Sequence, residues 1–172
     1  PTWDDTVKWE SLEHNGVYFP PEYVPHSVKM KYNGQRITLE PEAEEVAGFF
    51  AAIIGTDYAN NQTFCKNFFQ DFQKVLKRIN SACKDLIVDF NKCDFTPMTE
   101  YFEYLKQKRK SMTKEEKNVL KEEKAKLDEH YGWCLLSGRK EKVGNYRIEP
   151  PGLFRGRGAH PRTGHLKERV RP

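Results

Sequence analysis

Two arginines separated by a single glycine stand near the end of this 172-residue chain, in the run Arg155-Gly156-Arg157-Gly158. Each guanidinium presents a planar fork of N–H donors that suits phosphate oxygens, or base edges in a groove. The glycines carry no side chain, so the backbone can approach a surface closely and adopt unusual angles. His160 follows and can donate a hydrogen bond. These residue types predict recognition of a phosphate-bearing polyanion.

Positive charge is concentrated around this run. Basic residues continue after it at Arg162, Lys167, Arg169 and Arg171. Residues 1–100 hold 10 Lys or Arg against 15 Asp or Glu, whereas residues 131–172 hold 10 against 3. A polyanion would therefore be attracted to the C-terminal part of the sequence. A basic tail of a longer chain would carry the same charge, so charge alone does not decide between the two.

The residues ahead of the motif favour an ordered loop. An Arg-Gly repeat by itself is also typical of disordered RNA-binding tails. Here Pro150 and Pro151 end a preceding strand, because neither can donate to a sheet. The apolar pair Leu153–Phe154 then leads directly into the arginines. A strand, a proline pair and an apolar anchor in this order predict a structured loop.

Earlier in the chain the patterns predict a hairpin and two core helices. Asn33-Gly34 supplies the positive φ angles of a two-residue turn between alternating segments of residues 28–32 and 37–39. Apolar stripes predict a helix from Pro41 to Gly55 and another over Gln62–Ile79. The phenylalanines of the second stripe are interpreted as core rather than as a ligand site.

Two polar helices and a second hairpin are predicted next. One helix runs from Pro97 to about Lys110, and Thr113 with Glu116 forms a capping box for another that Gly132 ends. The second helix has few apolar residues, so it lies in solvent or beside a charged partner, and a salt-bridged exposed helix is the favoured interpretation. Trp133–Leu136 and Val143–Ile148 are expected to pair as the second hairpin.

Composition excludes several classes of protein. Hydrophobic residues make up 37% and charged residues 31%, as in soluble globular proteins. No apolar run approaches the ~20 residues of a membrane span, and the N-terminus lacks a secretory signal. The four cysteines are scattered without ligand spacing, so we expect no disulfide and no structural zinc. No cofactor is expected. The chain begins with Pro1 rather than Met, and we expect it to be a piece of a longer protein.

A longer run now makes a family resemblance specific. Residues 148–164, IEPPGLFRGRGAHPRTG, resemble the core-domain signature of eukaryotic type IB DNA topoisomerases. The similarity covers nearly all of the chain. Its other matching segments are Lys8-Trp9, Leu12-Glu13-His14, Phe19-Pro20-Pro21, Ala43-Glu44-Glu45-Val46-Ala47, Lys66-Asn67-Phe68-Phe69 and Cys93-Asp94-Phe95-Thr96.

The resemblance implies a nuclear enzyme that clamps duplex DNA. A tyrosine of such an enzyme forms a 3′-phosphotyrosyl bond, and supercoils relax by strand swivelling without ATP or metal. None of the eight tyrosines here matches the family's nucleophile motif. We therefore expect this chain to bind DNA but to be inactive alone. The implied partners are duplex DNA and the remaining core and C-terminal segments of the same enzyme, with no membrane.

The resemblance also assigns site residues. The implied DNA contacts are Arg155, Gly156, Arg157, Gly158, His160, Arg162, Lys167 and Arg169, with Arg157 nearest the cleavage site. Residues that match positions supporting this loop, and bordering the site where camptothecin-type poisons stack, are Asn145, Glu149, Phe154, Gly156 and Arg157. Three basic positions depart from the familiar pattern of the family. Arg162 stands where a Lys is usual and keeps the charge, whereas His165 and Glu168 stand where a Lys and an Arg are more familiar. Lys167 and Arg169 are therefore carried over only weakly.

The expected fold is α+β in two lobes. Residues 1–24 would start the core lobe, and residues 25–112 would form a cap lobe that includes the first projecting helix. Residues 113–172 would add the second projecting helix and continue the core lobe with the loop that closes the clamp.

Two other functions remain open from the residues. The alternative is a protein-interaction module with an incidental basic tail. Binding to duplex DNA with a steep salt dependence would separate a DNA-binding chain from such a module. A free-standing nuclease would need a metal cluster or an activated nucleophile. His160 and His165 in a basic loop are poor metal ligands, so the nuclease is strongly disfavoured.

Overall fold

A computed structural model describes residues 12–14, 16–136, 139–142, 146–158 and 160–170. These residues form a mixed α+β fold, which confirms the expected class. The helices are α1 (Pro41–Ala51), α2 (Gln62–Arg78), α3 (Thr96–Lys110) and α4 (Lys114–Tyr131), with short 3₁₀ turns at Asp57–Asn60 and Phe90–Lys92. The strands are β1 (Leu12–His14), β2 (Met30–Tyr32), β3 (Gln35–Ile37), β4 (Cys93–Asp94), β5 (Trp133–Leu136), β6 (Arg139–Lys142), β7 (Gly152–Leu153) and β8 (Leu166–Lys167).

The described residues fall into two compact units. The first unit contains the described residues up to Pro20, those between Ser111 and Pro150, and Val170. The second contains Pro21–Lys110 and Pro151–Arg169. Residues 151–169 thus group with the segment expected as cap, because side chains of α2 hold them. The correspondence of these units to the lobes of a whole enzyme stays a prediction.

Phenylalanines of α1 and α2 build the core of the second unit. The Phe50 and Phe68 rings stack with centroids 4.6 Å apart, and Phe72 stacks on Phe68 at 5.6 Å. Phe95 meets Phe68 edge-on at 5.8 Å. Buried aromatic pairs in offset and edge-to-face arrangements stabilise a core beyond the area that they bury. The interpretation of the second phenylalanine stripe as core is therefore confirmed.

The predicted hairpin and core helices are present with small changes at their ends. β2 and β3 pair in the expected register, and Asn33 and Gly34 have φ angles of 52° and 82°. α1 stops at Ala51 rather than near Gly55. α2 is capped by Asn61, whose side chain accepts the Phe64 N–H.

A buried carboxylate holds the irregular segment that precedes β2. Glu44 of α1 is 4% exposed. Its Oε1 accepts hydrogen bonds from the Tyr23 hydroxyl at 2.7 Å and from the His26 amide at 2.8 Å. Burial, followed by the hydrogen bond to Glu44, raises the pKa of Tyr23. The segment therefore obtains from a side chain the partners that a regular element would have supplied.

The two polar helices are largely exposed, as predicted. In α3 Met98 is fully buried and Phe102 packs against Gly48, but most residues after Phe102 are exposed. Thr113 accepts the Glu116 N–H at 3.2 Å, which confirms the predicted cap of α4. No residue of α4 is buried, and the contacts that hold it include the Thr113 cap at its start and, near its end, the Tyr146 hydroxyl that donates to Asp128 and the Tyr146 ring that stacks on Tyr131.

The second hairpin differs from its prediction. β5 pairs with β6, Arg139–Lys142, and Leu136 lies opposite Arg139. The expected return strand over Val143–Ile148 was wrong, because the short connection sets the register and brings a charged strand back instead of the apolar one. Val143–Asn145 lie outside the described residues, as do residues 1–11 of the segment expected to start the core lobe.

Candidate nucleic-acid interface

The predicted arginine-rich segment is the loop of a small hairpin. β7 and β8 are antiparallel, with Leu153 opposite Leu166. The Phe154 N–H donates to the His165 carbonyl at 2.8 Å, and the Gly164 N–H donates to the Phe154 carbonyl at 2.7 Å. Residues 154–165, here named the basic loop, are therefore closed at their base by backbone hydrogen bonds.

Thr163 braces the basic loop from inside. It is fully buried, and its hydroxyl accepts the Gly156 N–H at 3.0 Å and lies 3.3 Å from the Gly156 carbonyl, to which it can donate. On the far side, the Thr163 N–H donates to the His160 carbonyl at 3.0 Å. The loop consequently has internal order that a disordered basic tail lacks.

The glycines of the loop are required by close packing within the protein. A Cβ on Gly156 would lie 2.7 Å from His160 Cβ. Gly164 has a φ of +88°, and a Cβ there would lie 2.1 Å from the Phe64 carbonyl oxygen. Gly156 is buried, and its close neighbour belongs to the loop itself. The predicted approach of the glycine backbone to the surface of a partner stays a prediction.

One edge of α2 holds the basic loop in place. The Asn61 amide donates to the Gly158 carbonyl. The Asn67 amide donates to the Pro161 and Thr163 carbonyls, both at 2.9 Å. Asp71 Oδ2 accepts the Leu166 N–H at 2.7 Å and lies 2.9 Å from His165 Nδ1.

Four basic side chains of the loop remain exposed to solvent, and they are Arg155, Arg157, His160 and Arg162. Two of them rest on aromatic rings. The Arg155 guanidinium lies 5.8 Å from the Tyr58 ring centroid, and that of Arg162 lies 5.3 Å from the Phe154 ring centroid. Stacking of this kind orients a guanidinium while its N–H edge stays available. The loop therefore presents positioned cations to an anionic partner.

The proton of neutral His160 has a defined place. His160 Nδ1 accepts the Arg162 N–H at 3.2 Å. A neutral imidazole that accepts at one nitrogen carries its proton on the other. His160 can therefore donate from Nε2 to a phosphate oxygen without being charged.

Basic residues after Gly164 have different surroundings. The Arg169 side chain is 10% exposed, pairs with Glu45 at 2.6 Å and donates to the Pro21 carbonyl at 2.7 Å. Lys167 is half-buried. The structure thus gives Arg169 an intramolecular role and does not bring it to the exposed face of the loop.

The two positions at which a lower charge than usual was expected, His165 and Glu168, also have local partners. Glu168 pairs with Arg78 at 2.7 Å, and His165 pairs with Asp71. The hydrogen bond to Glu168 is the largest of the effects that raise the pKa of Arg78. His165 and Glu168 stand on either side of β8, and each of them ties that part of the chain to α2.

Of the three expected loop-supporting residues outside the Arg-Gly run, the structure places one, Phe154, against the basic loop. Phe154 is half-buried between the His160 ring, 5.3 Å away, and the Arg162 guanidinium. Glu149 is exposed, and Asn145 lies outside the described residues. Sequence reasoning missed Asn67 and Asp71 as supports, and only Asn61 had a local signal, since it precedes a predicted helix start.

The described part of the chain contains no group of three or more His, Cys, Asp or Glu that could hold a metal ion. Within those same residues, no helix is long and apolar enough to cross a membrane.

Comparison with known proteins identifies the family. The family described as eukaryotic DNA topoisomerase I, DNA binding fragment, matches residues 7–172. The chain belongs to this family. DNA topoisomerase 1 of Schizosaccharomyces pombe is 56% identical over 171 residues, which are 98% of this chain and 21% of that protein.

Relatives from other eukaryotes give the same result. DNA topoisomerase 1 of Candidozyma auris is 55% identical over 167 residues, covering 96% of this chain and 22% of that protein. The human DNA topoisomerase 1 is 45% identical over 172 residues, covering 99% of this chain and 22% of that protein. The chain thus spans about a fifth of the length of these relatives.

Proposed function

We propose that this chain is a DNA-gripping part of a type IB DNA topoisomerase, and that the basic loop is its main contact with duplex DNA. The observation that carries the proposal is a set of exposed, positioned cations on a loop that is braced internally and held by α2. A pre-ordered loop binds phosphates without a large loss of conformational entropy.

Each exposed group has a definite role in this proposal. Arg155 and Arg157 contact DNA phosphates or base edges, with Arg157 nearest the cleavage site. Arg162 contacts the DNA backbone from the far side of the loop, and His160 donates from Nε2 to a phosphate oxygen. Phe154 supports this surface and, with Glu149 and Asn145, borders the site of camptothecin-type poisons. Lys167 contributes less and Arg169 acts inside the protein, since the latter is already paired with Glu45.

The whole enzyme would relax supercoils in the nucleus through a transient 3′-phosphotyrosyl bond, without ATP, metal or another cofactor. Its nucleophile and catalytic cations would come from the remaining core and C-terminal segments. The family match and the relatives named DNA topoisomerase 1 support this assignment. The contribution of this chain is then binding and positioning of DNA rather than chemistry.

A salt series with a short labelled duplex tests the proposal. If about four cations meet phosphates, namely Arg155, Arg157 and Arg162 of the loop with Lys167 after it, log affinity should fall with log salt at a slope near −3.6, because each neutralised phosphate contributes ~0.9. Affinity should be non-specific in strength, with a Kd on the order of 10⁻⁴ to 10⁻⁶ M at physiological salt. Changing Arg155 and Arg157 together to alanine should weaken binding on unrelated sequences and make the slope shallower by about two. Fluorescence anisotropy measures both quantities.

A double variant of α4 provides a control with the same charge change. Lys121→Ala with Lys124→Ala also removes two cations, but these lie among carboxylates on an exposed helix. It should change affinity much less. A large loss from the α4 variant, with unchanged binding by the loop variant, would mean that the grip lies elsewhere. Absence of salt-dependent duplex binding would favour the protein-interaction module.

A further inference from the structure

Asn67 occupies an unusual position for a polar side chain. It lies on α2 between core-facing residues and is 8% exposed. A buried amide destabilises a protein unless its donors find partners. Both carbonyls that it reaches belong to the basic loop, 94 and 96 residues away in sequence. Its amide therefore acts on the loop rather than on its own helix.

The two carbonyls define which part of the loop Asn67 controls. Pro161 and Thr163 flank Arg162, so Asn67 holds the backbone on both sides of that residue. The peptide between Pro161 and Arg162 is held at both edges, since its carbonyl accepts from Asn67 and its N–H donates to His160 Nδ1. A peptide fixed at both edges cannot rotate without breaking a hydrogen bond.

The same peptide links two of the exposed groups that face a DNA partner in the proposal, Arg162 and His160. Its orientation sets where the Arg162 side chain leaves the loop to lie over Phe154. Its N–H is also the donor that occupies His160 Nδ1, which keeps the proton of neutral His160 on Nε2. One buried amide on α2 thus fixes both the direction of a guanidinium and the donor atom of an imidazole.

We propose that Asn67 is a positioning residue for DNA binding, which acts by fixing the Pro161–Arg162 peptide and through it Arg162 and His160. This inference rests on the proposed function of the basic loop. Asn67 itself does not contact DNA. Its removal should therefore weaken binding only as far as Arg162 and His160 contribute to it.

The test compares Asn67→Leu, a neutral substitution of similar size, with Asn91→Leu at an exposed position of the same unit. Asn67→Leu should weaken duplex binding roughly tenfold, as expected for loss of a positioned charged hydrogen bond. It should also speed amide hydrogen exchange at Thr163 and Gly156. Asn91→Leu should change neither. If Asn67→Leu does not fold, Asn67→Ser, which avoids overpacking, is measured with the same expectations.

A double-mutant cycle separates positioning from general destabilisation. In an Arg162→Ala background, Asn67→Leu should cost less than half of its original effect on affinity, because its main target is gone. An equal loss in both backgrounds, or unchanged exchange in the loop, would overturn the inference. The Arg155 and Arg157 double variant is measured alongside. If that variant binds normally the proposed function fails, whereas the exchange at Thr163 still decides whether Asn67 holds the loop.

Discussion

Gly164 lies where the basic loop meets α2, and two separate constraints act on it. Its φ of +88° is a left-handed conformation that residues with a Cβ adopt only with strain. Its α-carbon also faces the Phe64 carbonyl so closely that a Cβ would lie 2.1 Å from that oxygen. Gly55 shares only the first constraint, since its φ is +94° and nothing lies within 4 Å of a Cβ built there.

This pair allows strain and collision to be separated. We expect Gly55→Ala to lower the free energy of unfolding by about 1–2 kcal/mol, the usual penalty for a left-handed alanine. Gly164→Ala should lower it by more than about 2 kcal/mol and should also weaken DNA binding, because α2 and the loop must separate. Denaturant unfolding and anisotropy measure the two effects. Equal losses at both positions would show that the Phe64 carbonyl moves aside easily.

At the scale of elements, Glu40 ties the start of α1 to the chain that leaves α2. Its carboxylate accepts the Ser81 hydroxyl at 2.6 Å and the Ala82 N–H at 3.1 Å. Ser81 is 2% exposed. The hydrogen bond from Ser81 is the largest cause that lowers the pKa of Glu40 from its ordinary value of 4.5. Folding therefore stabilises the ionised form of the Glu40 carboxyl group more than its protonated form.

The sign of this shift gives a pH prediction. Because the pKa of Glu40 is lower in the folded state, its contribution to stability is fully present above pH 4.5 and is lost as the pH falls through the folded value. Glu40→Gln should therefore lower stability at neutral pH and flatten its decline in acid. Thermal unfolding between neutral pH and about pH 3 measures both effects, a range set by carboxylate titration. Glu100→Gln, on the exposed part of α3, is the control and should leave the acid decline unchanged.

At the scale of the whole molecule, we expect this chain to bind DNA without catalysing its cleavage. The exposed cations lie on the basic loop, but none of the eight tyrosines matches the nucleophile motif of type IB enzymes. We therefore expect the chain to bind supercoiled plasmid without relaxing it and without forming a covalent adduct. Gel assays of relaxation, and denaturing gels after incubation with labelled DNA, provide the measurements. A 3′-phosphotyrosyl adduct on any tyrosine of this chain would contradict the assignment.

The amino-acid sequence by itself determined the elements whose signals are local. The cap at Thr113, the Asn33-Gly34 turn and the apolar stripes of α1 and α2 depend on residues a few positions apart, so they could be read directly. The run of residues 148–164 was also enough to predict the family, because a match of that length is specific. These signals were enough to point to the basic loop.

The tertiary structure alone decided how that loop is held and which cations are exposed. Asn67 and Asp71 reach partners 94 residues or more away, and contacts at such distances leave no periodic trace in the sequence. Arg169 matches a DNA-contacting position by resemblance, but packing pairs it with Glu45. The position of β6 likewise followed from strand register rather than from apolar pattern. In each case the outcome depended on which distant groups folding brings together, and the types of nearby residues do not specify that.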